Sequence, residues 1–301
     1  MILVAGATGV LGSEIVRRLR TRGQAVRALV RTTSAPDKIA ILEGLGADVA
    51  HGDLKDRRSL DAAAREVDAV ISTVSTILTS QPGDSFSATD GAGSRNLIDA
   101  AKAAGARHFV FVSFDITRVP ESPLTAAKRD VEAHLKRSGL TYTILQPGLF
   151  MESWLGPYLF ADPASATAKV YGPGTTGIRY VAAGDVAEVA VRALTVPAAR
   201  NATIPFGGPE AISQRDAVRM FEEEYGRPFA VTDIPEQALE AQWSAAQDPF
   251  EKSFAALMLG VARGLGTDTA VPASAFDFTM MAPREFVRRS AAGPSATASR
   301  S

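Results

Sequence analysis

Through the first half of the chain, short apolar runs alternate with stretches of helical periodicity. The runs Ile2–Ala5, Ala25–Val30, Asp48–His51, Ala69–Val74, His108–Ser113 and Thr141–Leu145 predict six strands. Their apolar character is continuous rather than alternating, as expected where helices cover both faces of a sheet. Between them, Val10–Arg22 places Val10, Leu11, Ile15 and Leu19 at helical spacing and stops at Gly23, a suitable C-terminal cap. Asp37–Leu45, Ser59–Val67, Ser87–Ala104 (ending at Gly105) and Pro123–Lys136 predict four more helices. Strands alternating with helices in this way predict an α/β fold, a Rossmann doubly wound parallel sheet over residues 1–150. Right-handed crossovers leave such a sheet little topological freedom.

After Pro147 the rhythm breaks, and glycine and proline thicken between Gly156 and Gly177. Helices are expected at Asp185–Leu194 with Asp185 as N-cap, and at Ser213–Tyr225 between Ser213 and Gly226. Pro235–Trp243 and Phe250–Val261 also show helical periodicity. Residues 151–290 are therefore expected to form a smaller, mostly helical, substrate-side region, with segments of 178–206 available to extend the sheet. The small and polar residues 291–301 predict a disordered tail.

Composition narrows the possible chemistry. The 301-residue chain has no cysteine, which excludes disulfides, thiol nucleophiles and thiolate metal sites. A formal net charge of −1, with scattered basic residues, gives no sign of a nucleic-acid partner. The run Arg17-Arg18-Leu19-Arg20 falls on one helix and reads as its solvated face. Ile2–Ala5 is too short for a secretory signal, and no run approaches the roughly 20 apolar residues of a membrane helix. A cytoplasmic protein is expected. His51, His108 and His134 lie in different elements without metal spacing, and no metal is expected.

The segment Gly6-Ala7-Thr8-Gly9-Val10-Leu11-Gly12 follows a strand and opens a helix. That setting is the one a dinucleotide fingerprint requires. The glycines allow a tight turn and a close backbone approach to pyrophosphate, which the N–H groups at the helix start then bind. Gly6, Thr8, Gly9, Val10, Leu11 and Gly12 are thus cofactor-binding candidates. Arg31, followed by Thr32, stands at the end of the second strand, 19 residues past Gly12. A carboxylate is expected there for NAD, at an offset of about 20, whereas a guanidinium suits the 2′-phosphate of NADP(H). Asp53 and Leu54 follow the third strand, where adenine should lie, although Asp53 also suits a turn. The backbone of Ser72, Thr73 and Val74, up to Ser75, should run beneath the adenosine ribose and pyrophosphate.

These residues resemble the atypical short-chain dehydrogenase/reductases, specifically the NmrA-like group with its isoflavone-reductase-like, triphenylmethane-reductase-like and quinone-reductase-like members. The resemblance covers about residues 1–230 and rests on Gly6–Gly12, Arg31, Gly52-Asp53-Leu54, Phe111-Val112-Ser113, Lys128, Gln146-Pro147-Gly148-Leu149-Phe150, Tyr180–Leu194 and Gly207–Glu210. Gln146 departs from it, standing where relatives often carry arginine. The resemblance implies NADP(H) binding and assigns Ser113 and Lys128 to the catalytic end. Pro147, Gly148 and Phe150 should line the nicotinamide side. Phe150, Trp154, Tyr158 and Phe160 are candidates for an apolar substrate wall, a spacing that also suits ordinary core packing.

The wider superfamily places a tyrosine four residues before the lysine, on the same helix face. Its phenol gives or takes the proton that accompanies hydride transfer. Leu124 fills that position here. Three readings stay open. Lys128 relays the proton, or the substrate takes its proton from water, or nothing turns over and the fold senses NADP(H) for a protein partner. The first two together predict an NADPH-dependent oxidoreductase of a small, apolar, electron-poor substrate such as a quinone. Homodimerisation is compatible with any of them. Ser113 lacks the Gly-x-Ser-x-Gly setting of a hydrolase nucleophile.

Overall fold

A computed structural model describes residues 1–77, 80–266 and 276–292. Its strands are β1 (Ile2–Ala5), β2 (Val26–Val30), β3 (Asp48–His51), β4 (Ala69–Ser72), β5 (His108–Val112), β6 (Thr141–Pro147), β7 (Ala161–Asp162), β8 (Thr167–Tyr171), β9 (Ala202–Phe206) and β10 (Ala230–Ile234). Seven of them form one parallel sheet in the order β3-β2-β1-β4-β5-β6-β9. The strand order reverses between β1 and β4, and a crevice opens at such a switch point beyond the carboxyl ends of the strands.

The helices are α1 (Val10–Thr21), α2 (Pro36–Gly44), α3 (Arg57–Ala63), α4 (Ser94–Ala103), α5 (Pro123–Arg137), α6 (Met151–Trp154), α7 (Ala183–Ala193), α8 (Gln214–Tyr225), α9 (Glu236–Ala245), α10 (Pro249–Ala262) and α11 (Pro283–Ala291). On one sheet face, Val4, Ile71, Val110 and Leu145 pack with Ile15 and Val16 of α1 and Val186 and Ala190 of α7. On the other, Leu3, Val70, Phe109 and Ile144 pack with Leu97 and Ile98 of α4 and Val131 and Leu135 of α5. Each strand is sandwiched, which is why its apolar pattern is continuous. The carboxylate of Glu188 on α7 is 4% exposed and ties to Arg18 of α1 and Arg22 just past its end, each at 2.7 Å, and to Arg192. The three guanidiniums hold that carboxyl down at about 2 against the opposing effect of burial.

Several expectations need correction. The single helix expected over Ser87–Ala104 is instead a π-helix, Phe86–Gly93, running into α4. Its wider turn lets two successive polar residues, Thr89 and Asp90, both face buried polar partners. Asp185 is not an N-cap. Helix α7 begins at Ala183, whose N–H is received by both oxygens of Glu152 at 3.0 Å. Asp185, buried in the first turn, accepts the Met281 N–H at 2.8 Å. Ser213 does cap α8, through a capping box with Asp216, and Gly226 closes that helix at φ +62°. The C-terminal region also carries a small sheet in the order β10-β8-β7. Its strand β10 is largely exposed, so no apolar run announced it. Strand β9, within 178–206, extends the main sheet beside β6. Of the expected tail, residues 293–301 lie outside the described residues. Among the described residues no helix is long and apolar enough to cross a membrane.

Candidate functional site

The glycine segment turns sharply between β1 and α1. Gly6 sits at φ +81°, and a Cβ there would lie 2.5 Å from Thr73 Oγ1. A Cβ on Gly12 would lie 2.1 Å from the Gly6 carbonyl oxygen, which makes glycine obligatory at that position. Gly9, at the N-cap, donates its N–H to the Gly6 oxygen at 3.0 Å. No side chain caps α1 and no acidic residue lies in its first turn. Its leading N–H groups are therefore left for an anion. A cleft of about 680 Å³ extends from this turn along the carboxyl ends of the strands.

Gly6, Thr8, Gly9, Val10, Leu11, Gly12, Arg31, Asp53, Leu54, Thr73 and Val74 all line the cleft. Two expected members do not. Thr32 turns outward and is exposed, while Arg31 and Thr33 face the cleft. Ser72 is wholly buried inside β4. Asp53 takes its turn role as well, its Oδ1 accepting the Lys55 N–H at 2.8 Å.

A residue the sequence did not single out organises this end. The carboxylate of Asp84 is fully buried and accepts from Arg31 at 2.7 Å and from Lys55 Nζ at 2.6 Å. It also accepts the Gln81 N–H at 3.0 Å and the Thr89 hydroxyl at 3.1 Å. Burial would raise its pKa, but the donors from Lys55, Arg31 and Gln81 win and lower it to about 2. Thr33 donates to Gln81 Oε1 at 2.6 Å, so the segment after β4 crosses to the end of β2.

At the other end Lys128, 3% exposed on α5, donates from Nζ to the Val74 carbonyl at 3.0 Å. Its Nζ lies 3.5 Å from Asp90 Oδ1 and 5.1 Å from the centre of the Phe111 ring. Ser113 lines the cleft beside it, its buried Oγ without a hydrogen-bond partner among the described residues. Leu124, one turn earlier on α5, is 2% exposed and lines the cleft too. Its N–H donates to Ser253 Oγ at 3.2 Å, which fastens α10 over the start of α5.

Pro147, Gly148 and Phe150 line the same end, and a Cβ on Gly148 would lie 2.8 Å from the Arg179 carbonyl oxygen. Trp154 joins them, but Tyr158 does not. It is 70% exposed, because Leu159 and Phe160 take the inward positions of that turn. Phe160 packs on Phe221, 6.3 Å between ring centres, and so belongs to the core. The wall is completed instead by Leu149, Leu159 and, from α10, Phe254, Leu257 and Met258. Gln146 donates a single hydrogen bond from Nε2 to Glu132 at 3.1 Å. Glu152 also lines the cleft, its carboxyl raised by burial.

Residues 1–260 match the NmrA-like family. The chain belongs to that family. An NAD(P)H azoreductase from Xenophilus azovorans is 36% identical over 245 residues, 80% of each chain. A photosystem II assembly factor from Synechocystis sp. is 34% identical over 240 residues, 78% of this chain and 70% of that one. Among solved structures, the fold is shared with an NADPH-dependent quinone oxidoreductase from Escherichia coli. The TM-score is 0.75 at 23% identity, covering 96% of this chain and 99% of that one. Triphenylmethane reductase from Citrobacter sp. gives 0.77 at 20% identity, over 97% and 99%.

Proposed function

We propose that this NmrA-like protein is an NADPH-dependent reductase of small, apolar, electron-poor acceptors, quinones above all. The observation that carries the reading is Lys128. Its ammonium and the Ser113 hydroxyl stand beside the apolar wall of Leu149, Leu159, Phe254, Leu257 and Met258, at the end of a cleft whose other end suits a dinucleotide. The residues fit that cofactor: Gly6 and Gly12 have no room for a Cβ and so keep the turn tight against the start of α1, where no side chain caps the helix, and Arg31 stands at the adenosine end. The turn of α1 would hold the pyrophosphate, Arg31 the 2′-phosphate, and Lys128 the nicotinamide ribose. NADPH, when bound, supplies a hydride. The names of the azoreductase and quinone oxidoreductase relatives agree with this chemistry.

The protein's own part is electrostatic. An acceptor carbonyl gains negative charge on oxygen as hydride reaches it, and a preorganised donor in a water-poor site stabilises that charge. Lys128 has three N–H donors, of which the Val74 oxygen takes one. It can also pass a proton to the reduced oxygen and regain one from solvent, so a quinone, a hydride and a proton give a hydroquinone. Among the described residues no tyrosine lines the cleft, and Leu124, packed beneath α10, stands at the position of the superfamily's phenol. Purified protein should consume NADPH when offered quinones, and Lys128→Ala should slow turnover by about 10²-fold or more. Turnover unaffected by Lys128→Ala would refute its role, and silence across a broad quinone and azo-dye panel would refute the reductase.

A second reading is favoured by Leu124 together with the photosystem II assembly relatives. In it the protein senses NADP(H) and signals to a protein partner. It requires unequal affinities for NADP⁺ and NADPH, since a ligand shifts a population only through differential binding. Equal affinities in a titration would exclude it.

A further inference from the structure

Asp90 is 0% exposed in the π-helix, yet it bears an ionisable carboxyl. Its Oδ2 accepts the Thr76 N–H at 3.1 Å and the Thr76 hydroxyl at 2.6 Å. These two bonds suffice to anchor the segment after β4. They do not need a charge, since an amide oxygen would accept them equally well. Among the described residues Oδ1 has no hydrogen-bond partner. Its nearest cation is Lys128 Nζ, 3.5 Å away and itself almost wholly buried. A buried carboxylate with one oxygen unsatisfied is costly unless a charge answers it. The rare π-turn brings that oxygen to the lysine, and such turns are frequent at functional sites.

We propose that Asp90 is the positioning residue for Lys128. The Val74 carbonyl accepts one N–H of the ammonium and the Asp90 carboxylate steadies its charge from a second side, which leaves N–H donors for the cleft. Thr76, 5% exposed and lining the cleft, fixes the carboxylate in turn. The chain of support runs Thr76 to Asp90 to Lys128, and none of it depends on Ser113. The proposal rests on the reading of the cleft as a dinucleotide site, and its test is chosen so that the two can fail separately.

The test is a double-mutant cycle read on cofactor binding, which needs no substrate. NADPH dissociation constants are measured by fluorescence titration for the wild type, Asp90→Asn, Lys128→Ala and the double variant. Each single change is expected to weaken binding by about fivefold or more, and the double variant to be no weaker than Lys128→Ala within about twofold. Additive losses, or wild-type affinity in Asp90→Asn, would overturn the proposal, because a purely structural aspartate costs the same whether or not the lysine is present. If Asp90→Asn does not fold, Thr76→Val serves, as it releases one bond on the carboxylate and keeps the charge. It should weaken NADPH by a smaller factor on the wild-type background and by nothing on the Lys128→Ala background. An unchanged affinity in folded Thr76→Val would overturn the proposal. Wild-type protein that fails to bind NADPH refutes the dinucleotide reading itself, whereas binding with an additive cycle refutes Asp90 alone.

Discussion

Asp84 and Arg31 act as a pair, and their consequences can be separated. Asp84 titrates in the folded protein at about 2, below its ordinary 3.8. A depressed carboxyl stabilises the fold at every pH above its unfolded value, and that contribution disappears as pH falls through the folded one. Asp84→Asn should therefore cost about 2 kcal/mol at pH 7 and less than half of that by pH 2.5, as urea melts at the two pH values will read. Arg31 answers to cofactor instead. Charge-assisted bonds to a phosphate are worth about 1.5–3 kcal/mol. Arg31→Ala should accordingly weaken NADPH by about 10- to 100-fold in a binding titration and leave NADH nearly unchanged. Preference of the wild type for NADH would contradict the assignment of Arg31. The position of Arg31 was legible from its offset to the glycine turn. Asp84 was not, because Gly83-Asp84-Ser85 reads as an ordinary loop and its partners come from two other segments.

At the scale of elements, the glycine turn was legible because everything that defines it lies within one strand, one loop and one helix. The helix α10 was legible as a helix but not as a wall of the cleft. Its contact with Leu124 joins residues 129 positions apart, and no local pattern encodes that. The same holds for the pairing of α1 with α7 through Glu188 and its three arginines. A nearly buried carboxylate that keeps its place while a partner charge is lost is strongly destabilising, and the reverse loss frees three cations on one surface. Glu188→Gln should lower unfolding stability at neutral pH by about 3 kcal/mol in chemical denaturation, the worth of its depressed carboxyl. The loss should narrow below pH 4.5 and vanish near pH 2, since Glu188 titrates at about 2 against an ordinary 4.5.

For the whole molecule, the cleft touches the turns after β1, β2, β3, β4, β5 and β6 as well as α10, so one ligand would join the two halves of the sheet and the C-terminal region. A ligand bound only by the folded state stabilises by mass action, by about 2.7 kcal/mol at 100 times its dissociation constant. NADPH should thus raise the melting temperature by several degrees, and NADH at equal concentration by less. Equal shifts would count against Arg31 as the discriminating residue. Legibility at this scale was uneven for a simple reason. Strands buried on both faces announce themselves, as β1 and β4 do, whereas β10 pairs with β8 while nearly all of its residues stay exposed.

The π-helix Phe86–Gly93 also makes the chain's length a specified quantity. An α-helix advances about 100° per residue, so a one-residue deletion there would tidy the helix and swing everything before it by that angle relative to α4. Asp84 and Asp90 flank or occupy this turn and serve opposite ends of the cleft, six positions apart in sequence. A shorter, more regular helix would leave at most one of them in register with its cation. Across descendants of this sequence, substitutions in that segment should be far easier to accept than any change in its count.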